Sequence, residues 1–179
     1  MSGHNKWSKI KHKKAASDAK KSKIFSKIVR LIQVEAKAAK GDVNSPRLKM
    51  AIDKAKAVNM PKDNIERAIK KANEIGNTTE VLYEAYGPGG IGIIITGLTD
   101  NNNRTSSEIK HILSKNGGSL GTPGSVSWNF TKNPDQSWTP NSTMELPDDD
   151  REKLEKLIDL LEDHDDVQEV YTNLVDEEE

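Results

Sequence analysis

The chain has 179 residues, of which 34% are hydrophobic, 4% are aromatic and 31% are charged, and it contains no cysteine. This length predicts one domain or two small ones. Without cysteine there is no disulfide framework, no thiol nucleophile and no Cys-ligated zinc or iron–sulfur site. The longest apolar run, at 91–95, is far shorter than the ~18 residues that span a bilayer. We therefore expect a cytoplasmic protein with no membrane partner.

The net charge of −1 hides a strong separation of charge along the chain. Residues 1–80 contain 20 Lys or Arg and 8 Asp or Glu, and residues 81–144 contain four of each. Residues 145–179 contain 3 basic and 16 acidic residues. Basic segments attract polyanions and acidic segments repel them, so this distribution predicts that the N-terminal part binds a polyanion.

Three amphipathic helices are predicted in the N-terminal part. Apolar residues recur at steps of three and four over 15–39, which indicates the first helix. Ser45 followed by Pro46 is a helix start signal, with Ser45 as the capping residue. A third helix follows the break at Met60-Pro61. These features predict a first domain over 1–78, formed by a basic arm and a three-helix unit.

After this domain the pattern changes to short strands mixed with helices. Strands are predicted at 81–86 and 91–96, joined by a Gly-Pro-Gly-Gly turn. The Asp-Asn-Asn-Asn run at 100–103 is rich in capping residues and leads into a helix predicted from Arg104 to Lys115. A further strand is predicted at 125–131, with Val126, Trp128 and Phe130 on one face. Residues 132–141 contain two prolines and are interpreted as a connection.

The rest of the chain adds a short strand at 144–146, a helix at 148–161 and a last strand at 167–174. The fold class is therefore α+β: an N-terminal three-helix domain, then an antiparallel-rich sheet domain over 79–179 with helices on one face.

No enzymatic chemistry is indicated. Residues 87–92 satisfy G-x-G-x-x-G, but strand-forming residues follow where a dinucleotide site requires a helix, which favours a hairpin turn. The histidines His4, His12, His111 and His164 lack the spacing of a metal site. We expect no catalytic residue, no metal, no cofactor and no small-molecule substrate.

The basic arm and the first helix are the candidate site. Residues 1–40 contain 12 Lys or Arg, with Asp18 and Glu35 as the only acids. Such lysines can neutralise successive phosphates, and Trp7 can stack on a base or anchor the arm. The candidate nucleic-acid-binding residues are Lys6, Trp7, Lys9, Lys11, His12, Lys13, Lys14, Lys20, Lys23, Lys27 and Arg30. Arg104 is a weaker candidate that could instead bond locally.

Two other readings of the basic segment remain open. It could be a solvated helix face with a basic tail, or it could dock an acidic protein partner or the chain's own acidic end. Lysine predominates over arginine, which favours contacts with the nucleic-acid backbone over base reading.

The sequence also resembles the YebC/PmpR family, related to the mitochondrial translational activator of cytochrome c oxidase. The resemblance is carried by GHNKWSKIKHKK at 3–14, NMPKDNIERAI at 59–69, YGPGG at 86–90, LTDNNNRT at 98–105 and KNGG at 115–118. Near 131–137 the chain passes almost directly to the segment that follows the inserted third domain of the family. The resemblance therefore implies that this domain is missing here.

The resemblance further implies a bacterial cytoplasmic protein without known enzymatic activity. Members of the family are described as DNA-binding transcriptional regulators or as ribosome-associated factors that help the translation of proline-rich stretches. We expect a non-enzymatic regulator of gene expression that binds rRNA on the ribosome, with promoter DNA as the alternative target. The residues leave the oligomeric state open.

Overall fold

The computed structural model describes residues 18–176, and these form two compact units that meet in sequence at Thr79 and Glu80. The predicted basic residues from Lys6 to Lys14, together with Trp7 and His12, lie outside the described residues. None of the helices within 18–176 has the length and hydropathy to cross a bilayer.

The first unit contains three helices, α1 (Asp18–Ala38), α2 (Pro46–Ala57) and α3 (Lys62–Lys70), followed by a 3-10 turn at Ala72–Glu74. Helix α2 begins at Pro46 as predicted, because the fixed φ of proline suits a first helical position. The Ser45 side chain, however, makes no capping hydrogen bond. Ser45 therefore occupies the predicted N-cap position, but its side chain does not cap the helix.

The core of this unit is rich in alanine, which lets the three helices approach closely. Its buried residues are Ile32, Ala36, Leu48, Ala51, Ala55, Met60, Ile65, Ala68 and Ala72. Phe25, Ile28 and Ile69 are partly buried against them. The stripe of apolar residues predicted from the spacing thus faces the centre of the unit.

The second unit is built on a four-stranded sheet with strand order β3-β1-β2-β6. Its strands are β1 (Thr79–Tyr86), β2 (Gly92–Thr99), β3 (Ser119–Leu120) and β6 (Val167–Thr172). Strand β3 runs antiparallel to β1, and β6 runs antiparallel to β2 with Ile94 opposite Tyr171. The segment predicted as a strand at 144–146 makes one bridge, between Met144 and Leu174.

Helices α4 (Asn102–Lys115) and α5 (Asp148–Asp163) cover one face of this sheet. Ile93 and Ile95 point to this face and share a core with Ile109 of α4 and Leu157 of α5. On the opposite face Ile94 packs with Val126, Phe130 and Tyr171. The predicted α+β class, with an antiparallel sheet and helices on one face, is confirmed.

The glycines at 87–92 form the predicted turn between β1 and β2 and do not lead into an α-helix. The Gly87 amide donates to the Ile91 carbonyl at 2.9 Å, and Gly89 and Gly90 have φ values of 72° and 82°. Glycine adopts positive φ without steric cost, so these positions suit a tight turn.

The predicted strand at 125–131 is wrong in its first half. Residues Ser127–Asn129 form a 3-10 turn, and only Phe130–Lys132 form a strand, β4. Trp128 is 74% exposed, whereas Val126 and Phe130 are buried, so these three residues do not share a face. The predicted connection is also more ordered than expected, because Trp138–Pro140 form β5, which pairs antiparallel with β4.

The physical reason for this difference is Glu84, a buried residue of β1. Its carboxylate accepts hydrogen bonds from the backbone N–H groups of Gly124 at 2.6 Å, Val126 at 3.0 Å and Ser127 at 2.5 Å. These N–H groups are therefore directed at one carboxylate instead of a neighbouring strand. Burial alone would raise the pKa of Glu84. The hydrogen bonds from Gly124, Ser127 and Val126 together lower it by more, so the pKa lies below its ordinary value.

This geometry predicts a stability that depends on pH. Because the folded-state pKa of Glu84 is depressed, its stabilising contribution is present above the unfolded-state pKa of about 4.3 and is lost as the pH falls through the folded-state value. Replacing Glu84 by Gln removes the charge and should cost about 2 kcal/mol at pH 7, the scale of a hydrogen bond to a charged group.

Urea unfolding at pH 7 and pH 3.5, followed by tryptophan fluorescence, measures both effects. The penalty of Glu84→Gln should shrink at the lower pH. An equal penalty at the two pH values would contradict the role given to the Glu84 charge. The exposed Glu80→Gln in the same strand is the matched control, and should leave the unfolding midpoint nearly unchanged.

Candidate nucleic-acid interface

Helix α1 carries its basic and apolar residues on different faces. At 100° per residue, Lys20, Lys23, Lys27 and Arg30 fall within an arc of about 80°. The buried Ile32 lies on the opposite side of the helix. We call the four residues Lys20, Lys23, Lys27 and Arg30 the α1 basic stripe. Packing of the apolar side against the core directs this stripe away from the core.

The α1 basic stripe is accessible to solvent. Lys20 is exposed, and Lys23, Lys27 and Arg30 are partly exposed. With a rise of 1.5 Å per residue, the stripe extends over about 15 Å of the helix. Four cations over this length can approach several consecutive phosphates of a nucleic acid.

The fold removes one of the two acids of α1 from the surface. Glu35 is buried, and its carboxylate forms an ion pair with Arg47 of α2 at 3.1 Å. A buried carboxylate requires such a partner because removal from water is costly. The acid left exposed on α1 is Asp18, at the first position of the helix, where a negative charge is favoured.

The whole first unit shares this basic character. Residues 18–79 contain 15 Lys or Arg and 7 Asp or Glu. Beyond residue 40, further exposed cations lie on α2, on α3 and just after α3, and include Lys49, Lys56, Lys62, Arg67, Lys70 and Lys71. Sequence reasoning concentrated on residues 1–40 and missed these residues, although the excess of Lys and Arg continues through to residue 71.

Arg104, the weaker candidate, lies on α4 in the second unit and forms two ion pairs. Its guanidinium donates to Asp100 at 3.0 Å and to Asp166 at 3.1 Å. The hydrogen bond with Asp166, followed by the one with Asp100, raises the pKa of Arg104. Its charge is therefore balanced within the protein by two carboxylates. This is the local bonding that the sequence left open for Arg104.

Around Arg104, a polar network ties α4 to the turn before β6. Asp166 is buried and also accepts a hydrogen bond from the Thr105 hydroxyl at 2.7 Å. The Asn101 side chain caps α4 by accepting from the Arg104 amide at 3.1 Å, as the asparagine-rich sequence predicts. The buried Thr105 and Asp166 side chains thus have hydrogen-bond partners. The motif at 98–105 therefore has a structural role, which is to connect α4 to the turn before β6.

Within 18–176, no group of three or more His, Asp and Glu side chains is arranged to hold a metal ion. His164 pairs with Glu108 through its Nε2 atom, and its Nδ1 atom accepts from the Asp166 amide at 3.1 Å. Both ring nitrogens of His164 therefore contact neighbouring groups of the protein. Lys37, which is not among the candidate residues, donates to the Ile75 carbonyl at 2.9 Å and ties α1 to the end of the first unit.

Family models match nearly the whole chain. Residues 5–75 match the TACO1/YebC protein N-terminal domain, and residues 78–134 and 132–174 match the TACO1/YebC second and third domain. The two segments of the second match meet at 132–134. In the structure these residues lie at the end of β4 and the start of the turn that leads to β5.

Curated relatives match the chain, and one that matches nearly its whole length aligns over more positions than the chain has residues. A protein of Fervidobacterium nodosum is 40% identical over 235 positions, which cover 97% of this chain and 93% of the relative. Since the chain has 179 residues, at least 56 of the 235 positions are gaps in it. A relative from Petrotoga mobilis is 54% identical over 136 residues, which cover 74% of this chain and about half, 54%, of the relative. Both are named probable transcriptional regulatory protein.

A solved structure has a similar fold. The crystal structure of the conserved hypothetical protein Aq1575 from Aquifex aeolicus superposes with a TM-score of 0.75 at 32% identity, covering 90% of this chain and 93% of that chain. The predicted family and the predicted lack of the inserted third domain are both confirmed. The chain belongs to the TACO1/YebC family.

Proposed function

We propose that this chain is a nucleic-acid-binding regulator of gene expression that acts by binding rather than by catalysis. Its target is ribosomal RNA on the ribosome, where it assists the synthesis of proline-rich sequences. The basic arm and the α1 basic stripe, both in the domain that we assign to residues 1–78, contact the phosphates. In the arm these contacts come from Lys6, Lys9, Lys11, His12, Lys13 and Lys14, with Trp7 stacking or anchoring.

The observation that carries the proposal is the separation of charge on α1. The α1 basic stripe lies opposite the apolar face, and the buried Glu35 is neutralised by Arg47. The exposed surface of α1 therefore has a strong excess of cations. A solvated helix face ordinarily mixes both signs, whereas a one-sign surface of this kind attracts a polyanion.

The residue types favour backbone contact with RNA. Three of the four residues of the α1 basic stripe are lysines, which act as point charges and do not form the bidentate contacts that read guanine. Phosphate contacts alone position a protein without reading sequence. This suits a factor that recognises the shape of a folded RNA.

Promoter DNA is the second candidate target, and it is favoured by one structural feature. Helices α2 and α3 are joined by only four residues, 58–61, a length found in helix-turn-helix motifs. The relatives are also named probable transcriptional regulatory proteins. Against this target, the first two turns of α3 carry the exposed acids Asp63 and Glu66, and the N-terminal end of a recognition helix is the part that approaches the bases.

A third possibility, of another class, is a protein-interaction module whose basic arm docks an acidic partner. The acidic residues of 145–179 provide such a surface within the same chain. Activities of longer relatives that depend on the inserted third domain have no counterpart in this chain, so the proposal rests on the two units that are present.

Removing charge from α1 should weaken binding and reduce its dependence on salt. In the double variant Lys20→Ala/Lys27→Ala, each lost phosphate contact should lower the slope of log K against log salt by up to about one unit. The slope is measured by titrating a labelled RNA at several salt concentrations. Lys153→Ala/Lys156→Ala, two exposed lysines of α5, is the matched control and should keep the wild-type slope. An unchanged slope in the α1 variant would remove the α1 basic stripe from the interface.

The choice between the two nucleic acids is tested by competition. The full chain is bound to a labelled promoter fragment at physiological salt, and ribosomes or unlabelled fragments of unrelated sequence are added. We expect ribosomes to displace the fragment, and we expect unrelated DNA to compete as well as promoter DNA. Binding that prefers the promoter sequence and resists ribosomes would contradict the ribosomal target and support the transcriptional one.

A further inference from the structure

Among residues 18–176, Trp128 is the most exposed large hydrophobic side chain. It is 74% exposed, whereas Leu82 is 42%, Leu160 is 39% and Tyr86 is 37% exposed. Burial of a tryptophan is among the largest hydrophobic contributions available to one residue, and a ligand that covers this ring would gain it. The core of the second unit does not use Trp128.

The indole ring is held in a fixed orientation. Its N–H donates to the Ser125 carbonyl at 2.8 Å, and the Tyr86 hydroxyl donates to the same carbonyl at 3.2 Å. The polar atom of the ring is therefore satisfied within the protein, and the exposed part of the ring is apolar. A ligand that uses this ring would do so through its π-face or edge.

The backbone that carries the ring is also fixed before any ligand binds. The Glu84 carboxylate accepts N–H groups from Gly124, Val126 and Ser127, which directly precede Trp128. Pre-organisation of this kind reduces the entropy lost when a ligand binds. Asn129, on the other side of Trp128, is buried, and its side-chain amide donates to the Ser142 carbonyl at 2.9 Å.

The charge of this segment differs from that of the unit around it. Residues 80–176 contain 7 Lys or Arg and 18 Asp or Glu, so most of this unit repels a polyanion. Residues 109–134 contain no acid and three lysines, Lys110, Lys115 and Lys132. Trp128 thus lies in the longest acid-free segment of an otherwise acidic unit.

The surroundings of Trp128 along the chain are small and polar, with Ser127 and Asn129 as its neighbours and Gly-Thr-Pro-Gly-Ser at 121–125. A protein partner requires a contiguous apolar patch of larger size, with aromatic anchors surrounded by other apolar contacts. Near Trp128, the Tyr86 ring is also partly exposed, and the Glu84 carboxylate is buried and bonded to the loop. A small aromatic surface of this kind instead suits one flat, uncharged ligand group.

We infer that Trp128 is a stacking platform for an unpaired nucleobase, a second nucleic-acid contact in the acidic unit that is separate in sequence from the basic arm and α1. This inference rests on the proposed function, since the lysines supply the phosphate contacts and Trp128 adds a contact with a base. Stacking on an aromatic ring tolerates any base, so the site adds affinity for single-stranded segments without sequence preference.

The test compares the full-length wild type with Trp128→Ala and Trp128→Phe. The probe is a fluorescein-labelled 12-nucleotide oligoadenylate RNA, and its Kd is measured at four salt concentrations. Trp128→Ala should raise Kd by at least about fivefold, which is the lower range for loss of one stacked base. The salt slope should not change, because no phosphate contact is lost. Trp128→Phe should restore most of the affinity, because it keeps an aromatic plane.

Leu160→Ala is the matched control, since it removes another exposed hydrophobic side chain from the same unit and should leave Kd unchanged. A spectroscopic readout supports the titration. In a Trp7→Phe background the RNA should quench tryptophan fluorescence, and the added change Trp128→Phe should abolish most of this quenching.

The outcomes separate the inference from the proposed function. If the wild type binds the RNA with a salt slope that depends on Lys20 and Lys27, and Trp128→Ala binds equally well, the phosphate-binding proposal stands and the stacking site is wrong. If the wild type does not bind the RNA, both are wrong. If Trp128→Ala keeps RNA affinity but loses self-association in sedimentation, the ring serves a protein contact, and the stacking inference is overturned.

Discussion

Helix α1 has to bury one side against α2 and α3, and this constraint determines where the positive charge of the first unit can lie. Ile32 and Ala36 are buried in a core that consists largely of alanine, so the three helices pack closely and leave little room for adjustment. The lysines on the other side of α1 therefore face outward. The same packing buries Glu35, which would otherwise weaken the positive surface, and satisfies it with Arg47. The packing of α1 therefore determines both which residues form the core and which charges are exposed on the surface.

A comparable constraint governs the second unit, where Glu84 organises the loop that precedes Trp128. A buried carboxylate needs several donors, and here they are three backbone N–H groups of one loop. This prevents the loop from continuing as a strand and turns Trp128 outward while Val126 and Phe130 remain inside. The exposed ring follows from a polar interaction of β1 with a loop about 40 residues later in the chain.

The lack of the inserted third domain leaves the rest of the second unit well formed. Strands β4 and β5 pair directly, and the turn between them is closed by the Asn133 amide, which donates to the Ser137 carbonyl at 2.8 Å. The Asp135 carboxylate also accepts from the Ser137 amide at 3.0 Å. The two segments of the second family match meet at 132–134, and there β4 and β5 are connected by a short turn.

The sequence by itself determined the helices, the β1–β2 turn and the asparagine cap of α4. These features depend on local chemistry: the spacing of apolar residues, the fixed φ of Pro46, the freedom of Gly89 and Gly90, and the short side chain of Asn101. The separation of charge was also visible without a structure, since it requires only counting. The absence of the third domain was predicted from the family motifs, because no local sequence pattern indicates it.

Only the tertiary structure decided which charges and rings are available to a partner. The alternation of Val126, Trp128 and Phe130 favours a strand, and nothing nearby in sequence indicates that Glu84 captures the loop instead. Likewise, the sequence cannot show that Glu35 is buried against Arg47 or that Asp100 and Asp166 balance the charge of Arg104. Each of these contacts joins residues on different elements, and the free energy of a buried charge depends on the partner that the fold brings to it.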